Sequence, residues 1–246
     1  MTTLLVAAAF LALAFYQAAD RQRVEREEAA ARVEQFAQLG AGSLDDAIVQ
    51  ARTLLQSLAL NVDPTRSPEA NDAVLRRVFG SIPSIFGNLV VLDSAGRNVG
   101  TAVSPRSGRT ALDLGDRPYI QTARKTGRFT LGLSVKSRST EGSPWIIPAA
   151  QPVRDTVTGA VRAFVIASLR VDSLEVMRLR QQLPEGAIVT LIDSSGLIVA
   201  RSTDADTWNS RLFPGFKSAA LPPDSAVASP LDERERLIGS AMLRTA

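Results

Sequence analysis

Leu89-Val-Val-Leu-Asp93-Ser-Ala-Gly96-Arg-Asn-Val99 recurs in outline as Val189-Thr-Leu-Ile-Asp193-Ser-Ser-Gly196-Leu-Ile-Val199. Each stretch is an apolar run, an Asp-x-x-Gly turn and a second apolar run. The aspartate caps its own turn and the glycine takes positive φ at little cost, which is hairpin chemistry. The two aspartates stand 100 residues apart, a spacing of domains rather than of solenoid repeats. One such hairpin arises easily by chance. Two in equivalent surroundings predict a duplicated module of mixed helix and strand.

The first hairpin opens a stretch that reads as a complete module. Leu89 to Leu92 and Asn98 to Val103 form the hairpin, and Pro105 to Leu114 a polar loop. Asp116 to Thr126 is a short helix. Three strands come next, Phe129 to Arg138, Trp145 to Val153 and Ala160 to Leu169, joined by the turns at Glu141-Gly-Ser-Pro and Asp155-Thr-Val-Thr-Gly159. Asp172 to Gln182 is a connecting helix. After the second hairpin the chain is loop-rich, and Arg236-Leu-Ile-Gly-Ser-Ala-Met-Leu243 resembles the strand Arg162 to Leu169. No further strand is there to pair with it, and an antiparallel sheet that stops there has an open edge. The chain reads as a fragment.

The start of the chain is of another kind. Thr2 to Ala19 carries no charge, and a helix of that length is about 27 Å long, close to the hydrocarbon thickness of a bilayer. Tyr16 lies near its end, where interfacial aromatics belong. Ala12-Leu-Ala14 also fits a signal-peptide cleavage site, but no basic residue precedes the apolar run, so an uncleaved anchor is the reading favoured. From Asp20 to Val62 there is no proline, and Val33, Phe36, Gly40, Leu44, Ile48, Ala51, Leu55, Leu58 and Val62 recur at helical intervals. This predicts one long helix, with Gly40 and Gly42 as weak points, that packs along stacked modules or pairs with a second copy. Pro68 to Gly80 is a second, short helix.

Composition excludes several classes. The chain of 246 residues has neither cysteine nor histidine, which removes disulfides, Cys-based zinc sites and the commonest general base. A Ser-His-Asp triad is impossible, no Gly-x-Ser-x-Gly elbow occurs, and Lys125, Lys136 and Lys217 have no serine motif beside them. Gly40-Ala-Gly42 follows no strand and is no nucleotide loop. No catalytic residue, metal site or cofactor is expected in this chain. The net charge of +3 comes with 5% aromatics and scattered arginines, so the basicity reads as solvated surface and not as a nucleic-acid groove.

A strand–turn–strand, a helix opening on Asp116-Arg-Pro-Tyr119-Ile-Gln-Thr-Ala123, the run Ile147-Pro-Ala-Ala-Gln-Pro-Val-Arg-Asp155 with Gly159, and the repeat at Leu191 to Gly196 stand on a long helix leaving a membrane. The combination resembles the double Cache (dCache) sensor domains of bacterial transmembrane receptors, over about Asp20 to Leu243. The resemblance implies an α+β fold, in which a long N-terminal helix carries two PAS-like modules with antiparallel five-stranded sheets, the second truncated. The expected divisions are a transmembrane helix at 1–19, a stalk and dimerisation helix at 20–62, a membrane-distal module at 63–174 and an incomplete membrane-proximal module at 175–246. It implies an inner-membrane protein with residues after about 20 in the periplasm, a homodimer through the N-terminal helix, and a small-molecule ligand in the distal module. Any enzymatic output, a histidine kinase first and a diguanylate cyclase second, would lie beyond residue 246.

Amino-acid-binding members of that family carry Arg-x-Trp-Tyr-x-x-Ala, preceded by a tyrosine and followed later by an aspartate. Arg117 and Ala123 match; Tyr119 stands for the tryptophan, Ile120 for the tyrosine, Leu112 for the earlier aromatic and Ser168 for the aspartate. A guanidinium retained without the carboxylate suits a small organic acid better than an α-amino acid. Ser134, Lys136 and Arg138 share one face of their expected strand and Leu133 and Val135 the other; the polar face turns to solvent or to the ligand. Trp145 opens the next strand as pocket wall or packing. The candidate ligand residues are Arg117, Tyr119, Ser134, Lys136, Trp145 and Ser168. The plain alternatives are a surface Arg117 paired with Asp113 or Asp116 and a core Tyr119, and a chain that only dimerises or binds a protein partner.

Overall fold

The computed structural model describes residues 2–104, 112–138, 142–174, 177, 183, 186–193, 195–214, 226–228, 231 and 235–244, with backbone alone at 2–15, 226–228 and 235. The chain divides into two compact units, one of Gly42–Phe213 with Leu243–Ala246, the other of Met1–Ala41 with Pro214–Met242. Helix α1 (Thr2–Asn61) runs unbroken through Gly40 and Gly42, so neither glycine acts as the weak point expected of it. The predicted span Thr2 to Ala19 falls mostly on residues whose side chains lie outside the described set. Among the described residues no helix is long and apolar enough to cross a membrane.

In the larger unit, α2 (Pro68–Phe79) precedes an antiparallel sheet of β1 (Phe86–Asp93), β2 (Asn98–Thr101), β3 (Thr130–Leu131), β4 (Val135–Lys136), β5 (Trp145–Arg154) and β6 (Val161–Arg170). The order across it is β2-β1-β6-β5-β3, with β4 beside β5. One face buries Leu89, Val91, Ala149, Val165 and Leu169 against Leu44, Ile48, Ala51, Leu55 and Leu58 of α1 and Val62 just beyond it. These are the last six positions of the stripe visible in the sequence. Each large apolar side chain removed from water there contributes about 1.5–3 kcal/mol. The opposite face buries Val90, Leu92, Ala150, Phe164 and Ile166 under α3 (Pro118–Thr126), through Tyr119, Ile120 and Ala123. Leu112 and Leu114, expected in a polar loop, belong to this second core; residues 105–111 of that loop lie outside the described set.

The edge at β2 is closed by side chains of α2. Asn71 Nδ2 donates to the Val99 carbonyl at 3.0 Å and Asp72 Oδ1 accepts from the Thr101 amide at 2.7 Å. Gly100 permits this approach, since a Cβ there would stand 2.7 Å from that of Asn71. Edge groups that would otherwise recruit another strand are thereby satisfied.

The single strand expected from Phe129 to Arg138 is two short ones. Gly132 donates its amide to the Pro148 carbonyl at 2.8 Å, so the side of Pro148 that carries no N–H faces Gly132. The ladder loses a bond there and parts into β3 and β4. Alternation fails with it. Ser134 is fully buried in the unpaired stretch, whereas the side chains of Lys136 and Arg138 are about half exposed, at 52% and 47%.

The second hairpin, β7 (Thr190–Ile192) and β8 (Ile198–Arg201), repeats the first in register. Val90 faces Thr101 and Thr190 faces Arg201; Val91 faces Gly100 and Leu191 faces Ala200; Leu92 faces Asn98 and Ile192 faces Ile198, with an irregularity at the same step in each. A one-turn helix, α4 (Ala205–Trp208), comes next. The connecting helix expected at Asp172 to Gln182 begins as a 3₁₀ turn, Val171–Ser173, and most of the rest lies outside the described residues. In the smaller unit β9 (Ala226–Ala228) pairs only with β10 (Glu235–Leu237) among the described residues. The strand expected at Arg236 to Leu243 is therefore shorter and has a different partner from its first-module counterpart. Gly239 lies so close to the Val33 carbonyl that any Cβ would overlap it.

Candidate ligand site at the start of α3

Pro118 occupies the first turn of α3, where its missing N–H costs nothing and its fixed φ suits a helix. That fixes Arg117 in extended backbone, at φ −71° and ψ 132°, immediately before the helix, and its side chain does not cap the helix. Arg117 is half-buried, and its Nε is fully buried with no hydrogen-bond partner. The surface pairing envisaged for it is taken by another cation: Arg138 lies 3.5 Å from Asp116 Oδ1 and donates to the Asp113 carbonyl at 3.2 Å.

Tyr119, within the first turn of the helix, is buried over the bare Cα of Gly132; a Cβ at Gly132 would come within 2.8 Å of Pro148 Cγ and 2.9 Å of Tyr119 Cδ1. Burial pushes its phenol up to about 12, against the opposing pull of the Arg117 and Arg138 charges, so near neutrality it is an uncharged donor. Ser134 is wholly buried and its Oγ has no partner. Ser168 stands opposite Pro148 on one side and Asn88 on the other, on the sheet face shared by Val90 and Ile166. Ser168 thus lies on the sheet face that α3 covers through Tyr119.

Lys136 and Trp145 are drawn together elsewhere. Lys136 Nζ lies 2.8 Å from Asp206 Oδ1 and 5.3 Å from the Trp145 ring centroid, and Trp145 Nε1 donates to the same oxygen at 2.6 Å. These two side chains hold α4 to β4 and β5.

Asn88 was not among the sequence candidates. Its Oδ1 accepts from the Leu89 and Val103 amides, at 2.8 and 2.9 Å, and its Nδ2 donates to the Val103 carbonyl and to Thr101 Oγ1, each at 3.2 Å. It extends the ladder beyond β2 by one amide side chain. A lone asparagine in an apolar run was the available signal. Among the described residues no group of three or more acidic side chains is placed to hold a metal ion.

No family model matches the chain, and no curated protein matches it. Solved structures do. The ligand-binding domain of the Pseudomonas aeruginosa PAO1 amino acid chemoreceptor PctB, in complex with L-Arg, is 17% identical with a TM-score of 0.58, over 76% of this chain and 76% of that one. That of the Pseudomonas fluorescens chemoreceptor CtaA, in complex with L-serine, is 16% identical with a TM-score of 0.57, over 76% and 78%. The extracellular domain of the putative histidine kinase rpHK1S-Z16 is 18% identical with a TM-score of 0.55, over 79% and 75%. The fold is that of the extracytoplasmic sensor domains of chemoreceptors and sensor kinases, the Cache type expected from the sequence.

Proposed function

We propose that this chain is the extracytoplasmic ligand-sensing domain of a membrane-bound signalling receptor, and that it binds a small organic acid between α3 and the sheet. The observation that carries this is Arg117: a half-buried guanidinium with a buried, unpartnered Nε, beside a neutral buried phenol. A buried donor left without a partner costs about 1–3 kcal/mol, and a bound carboxylate supplies one in bidentate geometry. Three of the structural neighbours are bound to L-Arg, L-serine and GABA. Ser168 and Ser134 give no carboxylate to meet an ammonium group, which favours an acid without one. The receptor's output domain, a histidine kinase, and its membrane anchor lie outside the site itself.

Thermal unfolding of the full chain with a panel of organic acids and amino acids tests the reading. Organic acids are expected to raise the midpoint of the wild type and to leave Arg117→Ala unmoved, because only a ligand held by the native state stabilises it. An acid that stabilises both proteins equally contradicts the assignment.

The second part of the proposal is dimerisation through α1. Leu39, Gly42, Asp46, Val49, Thr53, Gln56 and Leu60 are all exposed and succeed one another at alternating intervals of three and four. Those intervals are the ones at which a second copy of the helix would pack, with Leu39, Val49 and Leu60 as the large apolar contacts and Asp46 as one acidic position.

A further inference from the structure

Residues 132–138 bond alternately to two parts of the molecule. Gly132 lies against the Tyr119 ring, and Arg138 donates to the Asp113 carbonyl at 3.2 Å and pairs with Asp116 at 3.5 Å, at the start of α3. Between these two, the Ser134 carbonyl accepts from Ser210 Oγ at 2.9 Å, and Lys136 Nζ lies 2.8 Å from Asp206 Oδ1, on the side of α4. Successive contact residues are two positions apart, which is at most about 7 Å of chain. A step that short has no slack, so a displacement at α4 is passed on to the start of α3.

The segment that carries α4 is held in an unfavourable conformation. Asp204 and Ser210, at its two ends, have φ of 51° and 66°, in the left-handed region that costs a non-glycine residue energy. Asn209 is 6% exposed, and neither Oδ1 nor Nδ2 of its amide has a partner. A buried amide in that state carries a desolvation penalty that a rearrangement toward water would relieve. Strain of this kind persists where the surroundings impose it. The Ser210 amide donates to the Ile198 carbonyl at 2.8 Å. Three further bonds join the segment to β5 and residues 134–136: the Ser210 hydroxyl, and Trp145 Nε1 and Lys136 Nζ, both on Asp206 Oδ1.

We infer that Asp206 is a positioning residue for the start of α3. By docking α4 on Lys136 and Trp145 it fixes residues 132–138, and through Gly132 and Arg138 these fix the Tyr119 ring and the turn at Asp113 and Asp116. The inference goes beyond the organic-acid reading and is independent of which ligand the site takes. Asp206 itself is 74% exposed, so its substitution leaves the core intact.

The test is fluorine NMR of the full chain without ligand, labelled with 3-fluorotyrosine in one sample and 5-fluorotryptophan in another. The chain has two residues of each kind, and Tyr119→Phe and Trp208→Phe assign the signals. Native resonances report local environment, and a loss of stability alone does not move them. Asp206→Asn is expected to move the Trp208 signal, which shows α4 undocked, and to move the Tyr119 signal by more than its linewidth or split it, with Tyr16 unchanged. Arg138→Gln, at the other end of the same path, should move the Trp208 signal. Should Asp206→Asn fail to fold, Ser210→Ala, which removes the bond to the Ser134 carbonyl alone, is read in the same way. A Tyr119 signal that stays in place while that of Trp208 moves overturns the inference, and so does a Trp208 signal that ignores Asp206→Asn. Neither result touches the organic-acid reading, which stands or falls on binding through Arg117.

Discussion

Trp145 Nε1 donates to Asp206 Oδ1 at 2.6 Å, and with it the first sheet grips the segment just past the second hairpin. Lys136 Nζ shares that oxygen at 2.8 Å, and Ser210 Oγ donates to the Ser134 carbonyl at 2.9 Å. The stretch from Gly132 to Arg138 is therefore held on one side at the start of α3, through Gly132 and Arg138, and on the other by α4.

Hydrogen bonds from Lys136 and Trp145 depress the Asp206 carboxyl below its ordinary 3.8. A depressed carboxyl contributes stability that is complete above the unfolded value and is lost as pH falls through the folded one. Asp206→Asn should thus lower the unfolding midpoint at pH 7, and the gap from wild type should close as pH falls below about 3.8. An unchanging gap across that range contradicts the assignment.

The phenol of Tyr119 reverses the sign. Its folded value of about 12 exceeds the ordinary 10.0, so its neutral form stabilises the fold fully below pH 10 and that contribution is lost as pH rises toward 12. An absorbance titration should show a tyrosinate step near 12 that is missing in Tyr119→Phe. The variant should also lose less stability over that interval, by an amount on the order of 2 kcal/mol.

Gly132 is required for space, not for backbone freedom. Gly132→Ala places a methyl group against Pro148 Cγ and the Tyr119 ring. Denaturant unfolding should report a loss of about 1–3 kcal/mol, and ligand affinity should fall because the ring must move.

The exposed α1 seam gives a prediction on assembly. Val49→Glu with Leu60→Glu puts charge at two seam positions that are 45% and 87% exposed in the single chain. Sedimentation should show a dimer for wild type and a monomer for the double variant, with unfolding midpoints of the single chain little changed.

The parts legible in the sequence are those fixed by neighbours in the chain. Asp93 Oδ1 accepts from the Ala95, Gly96 and Arg97 amides, all at 2.9 Å, and Asp193 Oδ1 from Ser195 and Leu197; such turns are written in a few adjacent residues. The α1 stripe is legible for the same reason. The parting of β3 from β4 is not, because its cause is Pro148, which becomes a neighbour of Gly132 only once the sheet forms. Lys136 and Trp145 read as ligand candidates because their anchor, Asp206, is 61 residues beyond Trp145. Arg117 and Tyr119 are legible as a motif, whereas the pairing of Arg138 with Asp116 depends on the same broken strand.

The central claim is that ligand is held between α3 and the first sheet. Hydrogen exchange of the full chain, with and without a saturating concentration of the tightest-binding acid, measures it directly. Slowed exchange confined to peptides covering 112–123, 132–138 and 164–170, with 189–201 unchanged, is the outcome expected. Protection centred on 189–212, or none at all with acid bound, would contradict it.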